Sequence, residues 1–296
     1  MSRKNICAPH NYQGDSISCF SRNDLIEIAK RYNKTHNNKI DIKSSDNKRA
    51  IWNKIQKSLQ QACGNDEVCW IRQPFLAHSR LGTNVEDFFK PPAPLGSYQW
   101  LSTDQILSVM RQHDKKHSYF KFFGPFPIDF MELDYKEAIK FRNPRNLFDP
   151  QNEIIGTIFN LDPSDMPGSH WVALVINKRR RAISYFDSYG DKLQFPNIAG
   201  ISYTDSLGRK PSNPSKIPMP PQVQQFIAKI NEKLGYKVKV NTIRHQYANS
   251  ECGIYSMHFI LKSLKHPFEK IAQDIILDEE VNRYRDIFFR RSEESR

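Results

Sequence analysis

Nowhere does the 296-residue chain approach the roughly 20 consecutive apolar residues that a bilayer-crossing helix needs. The opening stretch, "MSRKNICAPHNYQGD", lacks the apolar segment of a secretory signal. Both absences lead to the expectation of a soluble intracellular protein with no membrane partner. Cysteine is scarce: Cys7, Cys19, Cys63, Cys69 and Cys252 are five, odd in number and not in paired clusters. That usage argues for a reducing compartment. Cys63 and Cys69, in "CGNDEVC", are spaced more widely than the usual metal or redox pairs, so ordinary buried thiols are expected. Several reaction signatures are missing as well. There is no G-x-S-x-G and no G-x4-G-K-[ST], which argues against a serine hydrolase elbow and a phosphate-binding loop. His113 and His117, in "HDKKH", have helical zinc-ligand spacing, but the glutamate of the metalloprotease motif is absent. No metal and no cofactor is expected.

The chain has an ordinary 39% of hydrophobic residues and a net charge of +12. A core of normal size is affordable, and the charge suits an acidic partner, DNA included, or simple solubility. "KPPAPLG", Lys90 to Gly96, is the strongest boundary signal. We therefore expect a basic helical domain over 1–92 and a second domain over 93–296. In the first, Ser21 with Asp24 forms a capping box before a stripe of Leu25, Ile28, Ala29 and Tyr32. A second stripe contains Ile51, Ile55, Leu59 and Ala62. Two short helices around an extended "KIDI" resemble helix-extension-helix DNA-binding modules of the SAP type. A helical pair packed against the main domain is the plainer reading.

In the second domain, Ser102 or Thr103 caps a helix carrying Ile106, Val109 and Met110. "IIGTIFNLD", "HWVALVIN" and "AISYFDSYG" read as strands, with "KRRR" as the turn between the last two. Residues 190–221 read as a surface insertion. Pro221 then starts a helix that Gly235 ends, "YKVKVNTIRH" alternates as a strand, and "CGIYSMHFILKSL" is a helix. Strand, strand, helix, strand, helix makes an α+β domain.

Cys252 stands out because "RHQYANSECGIYS" is polar, with the cysteine directly before the last helix. A helix N-terminus favours a thiolate, so an exposed, ionised sulfur capped by Ser250 is expected. Such a nucleophile needs an imidazole to take and return a proton. His170 heads a buried strand after "PGS", and Asp187 ends the next strand, 17 residues on, where it can orient the ring. Asp191 is the weaker candidate, already within the turn. Gln246, six positions before Cys252, can donate to an oxyanion together with the Cys252 backbone N–H.

"GSHWVALVI", "ISYFDS" and "HQYANSECGIYS" resemble the SUMO-protease and adenovirus-proteinase clan of cysteine peptidases, whose pattern is His-Trp, an acid, then Gln-x5-Cys-Gly. "NTIRHQ", "SECG", "CGNDEVC", "WLST" and "FFGPFPIDF" are similar to segments of the polyprotein-processing enzymes of African swine fever virus and related large DNA viruses. The likeness spans about 230 residues. It implies a papain-type α+β fold with a central mixed sheet and the catalytic Cys at a helix N-terminus. It also implies His170 as base, Asp187 as orienting acid, Gln246 as oxyanion donor and Cys252 as nucleophile. Trp100 and Trp171 match the indoles that enclose a narrow substrate tunnel and select Gly-Gly before the cut bond; a core role for Trp100 is the alternative. Departures are Glu251 where Asp is commoner, no acid after "WL", and an acid at Asp187 where the asfarvirus enzyme has an amide. Residues 1–90 have no counterpart in the cellular enzymes.

The expectation is a viral cysteine endopeptidase that cuts structural polyproteins after Gly-Gly during virion maturation, in host cytoplasm and virion. The rivals are an isopeptidase acting on ubiquitin-like modifiers, and a nucleic-acid-binding virion protein with a relic protease fold. An intact set of four site residues argues against the relic.

Overall fold

The computed structural model describes residues 6–11, 17–94 and 99–291. It divides into two compact units, Met1–Ala93 with Asp286–Arg296, and Pro94–Arg285. The last stretch therefore groups with the N-terminal unit, whereas the sequence reading ran the second domain to 296. The reason is backbone pairing: Arg290 N–H donates to Pro91 O at 2.9 Å and Ala93 N–H to Arg290 O at 2.8 Å.

In the first unit the Ser21–Asp24 capping box opens α1 (Arg22–Thr35), which buries Leu25, Ile28, Ala29 and Tyr32. Asn47 caps α2 (Lys48–Cys63), whose inward residues are Ile51, Trp52, Ile55 and Leu59; Ala62 is exposed instead. The short α3 (Glu67–Ile71) and α4 (Arg80–Thr83) follow in the same unit. Glu67 is almost fully buried, and its carboxylate accepts from Trp52 Nε1 at 2.6 Å and Cys19 N–H at 3.0 Å. A buried charge held this way ties three segments together, since removing a donor would leave it unsatisfied. The cysteine reading is corrected here. Cys7 is bonded to Cys19 and Cys63 to Cys69, and Cys252 is the free cysteine. Gly64 ends α2 and lets the chain reverse, so that α3 carries Cys69 back to Cys63. The cysteine count thus gives no argument for a reducing compartment.

The second unit runs α5 (Thr103–Lys116), β1 (Phe120–Pro127), α6 (Lys136–Arg142), α7 (Pro144–Phe148), β2 (Ile154–Asn160), β3 (Trp171–Asn177) and β4 (Ala182–Phe186). There follow β5 (Phe195–Pro196), β6 (Tyr203–Thr204), β7 (Lys216–Ile217), α8 (Pro221–Leu234), β8 (Lys237–Val240), α9 (Cys252–Ser263), α10 (Phe268–Gln273) and α11 (Asp278–Asn282). Six strands form one mixed sheet in the order β1-β2-β3-β4-β8-β6. The β2–β3 and β3–β4 pairs are antiparallel, and β1–β2, β4–β8 and β6–β8 are parallel. The α+β class and central mixed sheet are as the sequence implied. Residues 190–221 are not a mere surface insertion: they supply the edge strand β6, and Ile201, Tyr203, Ile217 and Met219 enter the core.

Every residue of β2, β3 and β4 is buried, which a sheet covered on both faces requires. Val172, Leu174, Ile176, Ile183 and Tyr185 face one core with Val223, Phe226 and Ile227 of α8. The alternate residues face α9: Phe186 stacks on Phe259 at 4.6 Å, and Ser256 Oγ donates to Trp171 O at 3.2 Å. The helix lies so close that a Cβ on Gly156 would stand 2.7 Å from Ile260. Gly156→Val should therefore cost about 1–3 kcal/mol by overpacking, despite the better strand propensity of Val. A urea midpoint equal to wild type would contradict this packing.

Candidate active site

His170 immediately precedes β3 and Asp187 immediately follows β4. The last β3–β4 pair is Ala173 with Phe186, so both chains run on from the same end of the sheet. The Nε2–H of His170 donates to Asp187 Oδ1 at 2.7 Å, with both residues buried. Since a carboxylate only accepts, this bond fixes the tautomer and leaves Nδ1 for the other side of the ring. The Cys252 side chain also acts on this ring, favouring its protonated form together with Asp187. Burial by itself lowers the His170 pKa, but Asp187 and Cys252 outweigh it and raise the value to about 9.

Cys252 is 1% exposed, so the expectation of an exposed thiol is corrected. It is buried because Ile254, Met257 and the rest of the first turns of α9 pack inward on nearly every side. Nor is Ser250 the helix cap. The cap position is Glu251, which makes no side-chain capping bond. Its carboxylate instead accepts from Ser250 N–H and Ser250 Oγ, both at 2.9 Å, and from Asn282 Nδ2 at 3.1 Å. The first-turn N–H groups of α9 are thus left uncapped by side chains beside the sulfur, a favourable field for negative charge.

Gln246 is fully buried. Its Nε2 donates to Ala248 O at 2.9 Å and its Oε1 accepts from Ser188 Oγ at 2.6 Å. Asp278, at the start of α11, steadies the same loop by accepting from Tyr247 N–H and Ala248 N–H at 2.9 Å each. Tyr255 of α9 donates its hydroxyl to Ile276 O at 2.8 Å and lies 3.1 Å from Asp278 Oδ1; burial, then the Asp278 charge, raises its pKa. Asp191 does not join the site; it lines a separate surface cavity with Tyr203 and Asp205.

Trp100 and Trp171 line one groove of about 650 Å³ with Leu133, Tyr135, Met166 and Pro167. Trp100 is 45% exposed, which rules out the core alternative, and Trp171 is held inside by its Nε1 bond to Leu101 O at 2.9 Å. Three residues at the site escaped the sequence reading: Ser188, Asp278 and Tyr189. The Tyr189 ring stacks on His170 at 4.4 Å. The first and last share the "FDSYG" stretch with Asp187; Asp278 has no local signal. Among the described residues, no group of three or more His, Cys, Asp or Glu could hold a metal.

The His170 geometry makes a direct prediction. A pKa raised from about 6.5 to about 9 contributes stability that is complete below pH 6.5 and is lost as pH rises through 9. In Asp187→Asn, the NMR titration of His170 should move to lower pH and that alkaline loss should shrink. An unmoved titration would contradict the support assigned to the carboxylate.

Comparison with known proteins places the chain in a family. The model of the Ulp1 protease family, C-terminal catalytic domain, matches residues 108–296. A protein of Acanthamoeba polyphaga mimivirus, named as a thiol protease, is 29% identical over 306 residues, covering 97% of this chain and 93% of its own. The cysteine protease of a tick isolate of African swine fever virus is 29% identical over 265 residues, covering 80% of this chain and 89% of its own. The crystal structure of the African swine fever virus protease shares the fold, with a TM-score of 0.64 at 22% identity, over 99% of this chain and 98% of that one. With that model matching more than half of the chain, the chain belongs to the Ulp1 protease family and is a cysteine protease.

Proposed function

We propose that Cys252 is the nucleophile, His170 the base, Asp187 its orienting acid and Gln246 an oxyanion donor. The observation that carries this reading is a buried imidazole bonded through Nε2 to a buried carboxylate, with the free cysteine, Cys252, acting on the same ring. The sulfur adds to a peptide carbonyl, and Gln246 with the Cys252 N–H faces the developing oxyanion. His170 gives its proton to the leaving amine, and water, deprotonated by the same ring, releases the acyl group from sulfur. The substrate is a structural polyprotein cut after Gly-Gly during assembly of a viral particle, in host cytoplasm and in the virion. Supporting this are the viral relatives and the groove lined by Trp100, Leu101 and Trp171, whose bulky surfaces favour residues without side chains. The basic helical unit, with Lys30, Lys34, Arg49 and Lys57 exposed, would hold the enzyme on DNA or another acidic core component.

Peptides containing Gly-Gly-Ala test the reading. Wild type should cleave after the second glycine, whereas Cys252→Ser and His170→Ala should lose roughly a thousandfold or more. Equal cleavage by all three would contradict the assignment. Faster turnover of ubiquitin or SUMO conjugates than of any polyprotein fragment would instead favour the isopeptidase.

A further inference from the structure

Gln246 poses a problem that its burial sharpens. A primary amide has a donor end and an acceptor end of nearly equal shape, and a half-turn about its last bond exchanges them. An oxyanion donor is useful only if nitrogen faces the substrate; the reversed amide would present a carbonyl oxygen to a developing negative charge. Something must fix the orientation.

The surroundings of Gln246 supply two constraints. The carbonyl of Ala248 can only accept, so the amide atom 2.9 Å from it is nitrogen. The opposite end is then Oε1, and the hydroxyl 2.6 Å away on Ser188 must donate to it. Ser188 is 1% exposed, so this hydroxyl sits away from the surface, where a lost partner is costly to replace. Its backbone is fixed by the same loop, because Ser188 O accepts from His245 N–H at 2.8 Å and Gln246 N–H at 2.9 Å. Gly190 allows this approach: its φ is +68°, and a Cβ there would stand 2.7 Å from Arg244 N. One of the two Nε2 hydrogens is used on Ala248, which leaves the second for a ligand.

We infer that Ser188 is a positioning residue, whose hydroxyl holds the Gln246 amide with nitrogen toward the oxyanion. Because Ser188 follows Asp187 directly, one turn of chain orients both halves of the machinery: Asp187 the imidazole, Ser188 the amide. The inference rests on the catalytic reading above and deepens it. It is specific to steps that build charge on oxygen. Acyl transfer passes through an oxyanion, whereas alkylation of sulfur by iodoacetamide does not, so Ser188 should matter to the first and not to the second.

The test uses the full chain and two probes, the Gly-Gly-Ala peptide and iodoacetamide. Ser188→Ala should lower kcat on the peptide by about tenfold or more with KM changed less than about twofold. Its rate of Cys252 alkylation should stay within about twofold of wild type, and Ser188→Thr, which keeps the hydroxyl, should recover most of the kcat. Gln246→Ala should lose roughly a hundred- to a thousandfold, and adding Ser188→Ala to it should cost nothing further. Wild-type kcat in Ser188→Ala would overturn the inference, as would a double variant that loses the product of the two single effects. A loss of peptide cleavage matched by an equal loss of alkylation would also overturn it, since that is general damage to the site. Failure of the catalytic reading looks different: Cys252→Ser would then cleave as wild type does.

Discussion

The structure depends on a buried imidazole bonded to a buried carboxylate. Asp187 and His170 are both nearly excluded from water, and a charge in such a place is tolerated only when its hydrogen bonds are complete. Asp187 Oδ1 accepts from the ring and also from Tyr189 N–H at 2.8 Å, so the acid is supported by the chain that follows it. Asn241, from the end of β8, donates to Asp187 O at 2.7 Å and fixes the backbone. What survives burial is a ring whose protonated form is favoured by Asp187 and by the Cys252 side chain.

The sheet makes that arrangement reproducible. His170 and Asp187 leave adjacent antiparallel strands at the same end, and the 2.7 Å bond between them joins the two strand ends. Helix α9 brings the sulfur to the same end, and its depth over the sheet is fixed where Ile260 meets Gly156. The carboxylates of Glu251 and Asp278 bind the chain around Cys252 without capping the first N–H groups of its helix. Rigid elements hold His170, Asp187 and Cys252, and short loops hold Ser188 and Gln246 beside them.

Much of this was legible in the chain. Ser21 with Asp24, and the Ser102–Thr103 pair of which Ser102 proves to be the cap, marked helix starts through local hydrogen bonds, which need no tertiary context. His170, Asp187 and Cys252 stood at ends of strongly patterned segments, where side chains project from rigid frames. Other features were illegible for physical reasons. Whether Cys252 is exposed depends on how far α9 sinks against the sheet, which no local pattern states. The bond between Cys63 and Cys69 depends on the chain reversal at Gly64. The edge strand β6 is two residues long, too short to show alternation, and its parallel pairing with β8 crosses a large sequence gap. Asp278 reaches the site from 30 residues beyond Ala248.

The most direct test of the central claim is to locate the reactive group chemically. The full chain would be treated with a Gly-Gly vinyl methyl ester and the adduct mapped by mass spectrometry. The account predicts a single adduct on Cys252, formed far more slowly in His170→Ala. An adduct on any other residue, or one that forms equally well without the imidazole, would contradict it.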